Sequence, residues 1–247
     1  GNLQNLEDKK IYHIKTDRKN LHKVINQINN IYFDVVLDNS SYNILSVKKV
    51  FRLLGKNIGH YIYLSTILSY LGLSYKNFVD ERSWFKIKSS KNLKKNYNEG
   101  IIKYGYKKEK AEKFIIKQKK INYTILRPHT VIGENDFSLR TKKLVFYNYN
   151  KLSKDRKEFI QFCFKDDLIK IILKLIYKPN KKSSIFNVCN NAIKIEDISN
   201  FFKRRKKKKN EFPLPINALM SNKKVKKELR FNFQDPINVL KIINKIF

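Results

Sequence analysis

The 247-residue chain is short of several residue types: two cysteines, one tryptophan, one methionine, five prolines, seven glycines and only 21 acidic residues. Two cysteines, Cys163 and Cys189, cannot build a disulfide framework or a four-ligand zinc site, and they sit in apolar stretches that read as core. His13, His22, His60 and His129 show no metal-ligand spacing, so no metal is expected. No apolar run approaches the ~20 residues that span a bilayer, and the first residues lack the charged-then-apolar pattern of a secretory signal. At 42% hydrophobic and 13% aromatic residues, the chain is too apolar for a disordered basic tail. What remains is a globular protein with no membrane partner. It is expected in the cytoplasm, or in an organelle if a targeting segment precedes it. The length suits one large or two small domains.

What is abundant is positive charge. Lys and Arg number 54, giving a formal +33. Clustered basic residues release counterions from phosphates, so RNA is one candidate partner. The kind of excess argues otherwise: 45 Lys against 9 Arg, with 28 Asn and only three Ala. Lys, Asn, Ile, Tyr and Phe have A/T-rich codons, and a base-biased genome imposes that signature on any fold. Lysine also lacks the planar fork with which arginine recognises phosphate and base edges. The densest run, Lys203–Lys209, reads as a solvated loop.

Along the chain, short apolar runs alternate with helical spacing. Residues 11–15 (IYHIK) read as a strand, and Leu21–Ile31 carries apolar residues at helical intervals. Tyr32–Asp38 is a β-branched run suited to a strand buried on both faces. Ile44–Leu54 reads as a helix, Tyr61–Leu64 as a strand and Asp80–Gly100 as a polar excursion carrying Trp84. Tyr104–Lys119 reads as a helix and Tyr123–Leu126 as a strand stopped by Arg127-Pro128. The alternation predicts an α/β fold, a Rossmann-like doubly wound parallel sheet. Beyond residue 145 the pattern loosens into strand Phe159–Phe164, helix Asp166–Tyr177, strand Ile185–Val188 and helix Ile195–Phe202. Residues 1–145 are therefore expected to form the sheet domain and residues 146–247 a smaller lobe with a basic C-terminal region. Asp166-Asp167 is expected to cap its helix.

Ligands of open parallel sheets bind beyond the carboxyl ends of the strands. Three predicted strands end there in polar groups: Asp38-Asn39-Ser40, Ser65-Thr66 and Arg127-Pro128-His129. On the following helix, Tyr104 and Lys108 are four residues apart and share a face. An ammonium beside a phenol favours phenolate and readies it for proton exchange. Spacing alone is weak, because 14 Tyr and 45 Lys make two or three such pairs expected by chance. Four occur, among them Tyr106/Lys110.

The order of motifs says more. YIYLSTILSY (61–70), YGYKKEKAE (104–112) and LRPHTVIG (126–133) together resemble the extended and atypical short-chain dehydrogenase/reductase superfamily, in its NAD-dependent epimerase/dehydratase branch. FDVVLDNS (33–40) resembles the strand and loop passing under the cofactor in that family. DFSLR (136–140), residues 159–168 and IFNV (185–188) follow in the family's order. The resemblance covers roughly residues 11–190.

It implies NAD or NADP as cofactor and a small-molecule substrate, often a nucleotide-sugar, reacting at a hydroxyl or carbonyl. Thr66, four residues before Tyr70, matches the Ser/Thr that holds the substrate oxygen. Tyr104 matches the general acid/base, with Lys108 holding the ribose and lowering the Tyr pKa; trailing Ala111-Glu112 selects this pair over Tyr106/Lys110. Asp38, Asn39 and Ser40 would line the cofactor, Asp17 would approach the adenine, and Pro128 and His129 would face the nicotinamide. The His129 side chain could touch the ligand, but it reads first as a surface or satisfied histidine. The family opens with a strand, a Gly-rich turn and a helix that hold the pyrophosphate. Here the first strand-like run already resembles the family's third strand, so a unit of about 30 residues or more is not represented. An alternative implied by the same fold is a non-catalytic RNA-binding relative, similar to the chloroplast stem-loop binding proteins.

Overall fold

The computed structural model describes residues 11–28, 30–70, 78–86, 99–148, 158–202 and 218–246. The basic run 203–209 and most of the lysine-rich excursion, 87–98, lie outside the described residues, as does the side chain of Trp84. At the centre is a parallel sheet of four strands, β1 (Phe33–Asp38), β2 (Ile58–Leu64), β3 (Asn122–Pro128) and β7 (Ser184–Val188), in spatial order β1-β2-β3-β7. The registers Val36↔Tyr61, Tyr63↔Ile125 and Leu126↔Phe186 bring the carboxyl ends of the strands together along one rim.

Alternation along β2 shows why the sheet has two covered faces. Tyr61 and Tyr63 pack with Val47 and Val50 of helix α1 (Ile44–Leu54) and with Ala111 and Ile115 of helix α2 (Glu99–Ile116). Ile62 points the other way, to Leu126, Phe186 and Ile171. A continuous apolar run is what a strand buried on both faces requires, and each such side chain withdrawn from water contributes roughly 1.5–3 kcal/mol. Helix α1 starts where Asn43 Oδ1 accepts the Ser46 N–H at 3.0 Å, a cap that contributes about 1 kcal/mol.

Beyond residue 128 the chain builds small pieces. Strand β4 (Val131–Ile132) pairs with β6 (Cys163–Phe164), and β5 (Phe159–Ile160) pairs with β8 (Ile193–Lys194). Helices α3 (Arg140–Val145), α5 (Ile195–Phe201) and α7 (Pro236–Ile246) contribute to a separate apolar cluster around Phe162, Ile198, Phe202 and Leu240. Helix α4 (Lys165–Tyr177) covers the second face of the main sheet, and α6 (Lys223–Glu228) adds Val225 to the same cluster. The fourth strand of the main sheet, β7, comes from beyond residue 145.

Four sequence readings are corrected. Residues 11–15 are not a strand, because no described strand lies beside them and an extended segment without a neighbour has nowhere to place its backbone hydrogen bonds. The helix read over 21–31 is a 3₁₀ segment, Arg18–Gln27, kinked at Asn20. The strand read over Phe159–Phe164 is two, interrupted at Phe162, whose N–H donates to Asn190 Oδ1. Asp167, expected to cap α4, instead accepts from the Gln234 backbone N–H at 3.1 Å and is buried.

Candidate active site

The rim is built first by the loop after β1. Asp38 is buried and folds the loop around itself: its carboxylate accepts from the Ser40 and Ser41 N–H groups, from Ser41 Oγ and, at 2.5 Å, from Tyr61 OH. This is the local turn that Asp favours after a strand. Its carboxylate is thus engaged inward, while Asn39 and Ser40 are exposed. Asp17 is exposed at the start of the 3₁₀ segment. Its neighbour Thr16 lines, with Val36, Leu37, Asp38 and Ser40, a cavity of about 290 Å³ at the carboxyl end of β1.

After β2 the chain turns through the 3₁₀ segment Ile67–Tyr70. Thr66 is half-buried at its head, where its hydroxyl accepts the Leu68 N–H. On α2, Tyr104, Lys108 and Glu112 succeed one another every fourth residue and face the same rim. Lys108 is only 2% exposed. Its ammonium donates to the Ser41 carbonyl at 2.9 Å and the Leu64 carbonyl at 2.6 Å, and lies 4.6 Å from the centre of the Tyr63 ring. The structure therefore brings the β1 loop, the end of β2 and helix α2 together at one cation. Tyr104 is half-buried beside Tyr42, with ring centroids 6.2 Å apart. Its hydroxyl is not lowered as the sequence suggests: burial pushes it above the usual value of 10, Tyr42 adds to this, and Arg140 opposes it. Lys108 spends its donors on carbonyls, with its ammonium 6.0 Å from the Tyr104 ring centre.

Behind this rim lies a buried polar network that the sequence reading did not assemble. Glu112 and Arg127, both fully buried, form an ion pair at 2.6 Å, with the Arg127 Nε also donating to the same carboxylate. Glu112 accepts from both Ser65 Oγ and Ser69 Oγ. The remaining fork of Arg127 donates to Tyr70 OH at 2.7 Å, and Tyr70 OH donates to Asn187 Oδ1 at 2.7 Å. Burial alone would lower the Arg127 pKa; the neighbouring Glu112 carboxylate outweighs it and holds the guanidinium firmly charged. The signal was available: a Glu inside the apolar stripe Ala111–Ile115 and an Arg inside the run Ile125–Pro128 are charges at buried positions, which require partners.

Pro128 ends β3 on the rim. The His129 imidazole is 2% exposed and occupied, as the reading of a satisfied histidine has it. Its Nδ1 accepts from the Thr130 N–H and its Nε2 faces the Ala218 carbonyl at 3.1 Å. Burial lowers it to about 4, so it is neutral at physiological pH. With both nitrogens spent, only its backbone is left for a ligand. Cys163 and Cys189 are buried, and burial raises both thiols, as suits core residues. Among the described residues no group of acidic, His or Cys side chains could hold a metal ion, and no helix is long and apolar enough to cross a membrane.

A dinucleotide suits part of this arrangement. The cavity beside Thr16, Asp38 and Ser40 could take an adenosine end, and the buried Lys108 ammonium beside Tyr104 could take a ribose. A glycine-rich cradle for the pyrophosphate is not among the described residues. Comparison with protein families matches residues 14–154 to the NAD-binding family described as male sterility protein. Comparison with curated proteins gives no match. Among solved structures, a candidate epimerase from Burkholderia cenocepacia J2315 superposes with TM-score 0.68 at 16% identity, over 94% of this chain and 82% of the other. A UDP-glucuronic acid 4-epimerase variant from Bacillus cereus, in complex with UDP-4-deoxy-4-fluoro-glucuronic acid and NAD, gives 0.63 at 14% identity over 95% and 82%. A reductase studied for asymmetric catalysis gives 0.59 at 18% identity over 93% and 80%. At these identities the likeness is one of fold: a Rossmann-like parallel sheet of the kind found in epimerases and reductases.

Proposed function

Because the chain belongs to the NAD-binding family described as male sterility protein, we propose that it is an NAD(P)-dependent enzyme of the oxidoreductase, epimerase or dehydratase kind, acting on a hydroxyl or carbonyl. The observation that carries this reading is the buried Lys108 ammonium, held between the Ser41 and Leu64 carbonyls where the strand ends converge beside Tyr104. The dinucleotide, when bound, supplies hydride exchange with the substrate carbon. The chain's own groups do the rest. Thr66 holds the substrate oxygen, Tyr104 gives or takes its proton, and Lys108 grips the ribose hydroxyls. Asn39, Ser40 and Asp17 border the cofactor, the Asp38 side chain shapes the loop from beneath, and Pro128 and the His129 backbone face the nicotinamide. The cofactor belongs with residues 1–145 and the substrate with 146–247, apart from β7, which returns to the sheet, and α4 and α6, which pack on its second face. A nucleotide-sugar is the substrate class we favour, the Bacillus cereus relative having been crystallised with one.

A high phenol pKa is compatible with this role. Tyr104 is kept protonated and so is ready to serve as the proton donor. The test is a thermal shift of the protein with NAD, NADP and a structured RNA at physiological salt. Dinucleotide at a hundred times its Kd adds about 2.7 kcal/mol, and the shift is expected to vanish in Lys108→Met. No dinucleotide shift, together with a salt-sensitive RNA shift, would instead assign the chain to the RNA-binding alternative.

A further inference from the structure

Helix α2 meets the end of β2 through two buried charges one helical turn apart. Lys108 reaches the carbonyl of Leu64, and Glu112 reaches the hydroxyls of Ser65 and Ser69. Thr66 lies between those two serines, so the turn that presents it is tied on both sides to a single carboxylate. We propose that Glu112 is a positioning residue: it sets the register of the Thr66 turn against α2 and, through the Leu64 carbonyl, fixes where the Lys108 ammonium sits. This inference rests on the reading of Lys108 as a dinucleotide contact.

Two arguments favour positioning over simple packing. A well-packed apolar pair of similar volume would hold the helix on the sheet at least as well as a buried ion pair. An apolar pair, however, has no directional bonds and leaves the turn free to slide, whereas Glu112 and Arg127 saturate one another in a single geometry. The bonds also reach the same turn a second time, and beyond Asn187 they run on to the Val79 and Ser221 carbonyls. Arg127 passes to Tyr70, the last residue of the same turn, and Tyr70 passes to Asn187 at the end of β7. Four elements that border the site thus share one hydrogen-bonded network, and Glu112 is the member that touches both sides of Thr66.

The test uses NADH as probe, its Kd read by fluorescence well below each variant's thermal midpoint. Ser69→Ala leaves the Glu112–Arg127 pair intact, so its result does not depend on whether Glu112→Gln folds. It is expected to weaken NADH at least threefold, and Ser65→Ala combined with Ser69→Ala at least tenfold. Ile198→Ala, a truncation in the cluster remote from the rim, should lower the midpoint while leaving the Kd within twofold. Serine variants that lose thermal stability but keep the wild-type Kd within twofold would overturn the proposal, because Glu112 would then only hold the fold together. Failure of the wild-type protein itself to bind NADH is a separate result. It would overturn the dinucleotide reading, and this inference with it.

Discussion

The two faces of helix α2 carry the same motif and share nothing else. Tyr104 and Lys108 face the sheet; Tyr106 and Lys110, at identical spacing two residues on, face out. Lys108 is enclosed by two carbonyls and an aromatic ring, and Glu112 behind it by an arginine and two serines. On the outer face, Lys103, Lys107 and Lys110 surround a cavity with Tyr106 and Ile102, and the side chains of Lys103, Tyr106, Lys107 and Lys110 are exposed. Spacing therefore puts a tyrosine and a lysine on one face, but the converging strand ends turn that face into a candidate site. The contrast also separates two meanings of positive charge here: a few enclosed cations placed by the fold, and many solvated lysines of the kind that codon bias supplies.

The comparison can be tested at several strengths. The largest effect belongs to the ion pair. Removing one partner of a buried pair costs about 3–5 kcal/mol, so urea unfolding of Glu112→Ala should show a loss of that size, while Lys110→Ala on the outer face leaves the midpoint unchanged. Next comes the acid limb of stability. The folded protein keeps His129 neutral down to about pH 4, whereas the unfolded chain takes up the proton near pH 6.5. Stability present above pH 6.5 is therefore lost as pH falls toward 4, by about 3 kcal/mol. His60, also lowered by burial, adds in the same direction. Replacing His129 with Gln should remove its share of that slope in pH-dependent denaturation.

Lys108→Met is expected to be milder. It removes the Lys108 donor from the Leu64 carbonyl, while the Ser41 carbonyl still accepts from Tyr63 OH, a cost of about 1–3 kcal/mol, against no change for Lys110→Met in the same unfolding experiment. The smallest effect is on the phenol. Tyr104 should titrate above 10, and the corresponding absorbance step should disappear in Tyr104→Phe.

Much of this was legible in the sequence, and the exceptions share a cause. The apolar runs read as strands over 32–38, 61–64 and 185–188 appear as strands at 33–38, 58–64 and 184–188, the second starting inside the residues read as a turn, and helix 44–54 appears as read. Residues 11–15 have equal strand propensity and no strand, because pairing is decided by neighbours and not by the segment itself. The rim residues were readable for a similar reason: polar groups ending apolar strands are visible one strand at a time. Which charges pair was not. Glu112 and Arg127 stand fifteen residues apart, and only folding puts β3 behind α2. His129 is the easier case: a lone histidine is more often satisfied than a ligand, and both of its nitrogens are taken.

The most direct measurement is calorimetric titration of NADH into the wild-type protein, Lys108→Met and Lys110→Met. If the enclosed cation is the ribose contact, the wild type and Lys110→Met bind alike, and Lys108→Met binds at least tenfold more weakly. Equal binding by all three, or no binding by the wild type, would contradict the assignment of the inner face as a dinucleotide site.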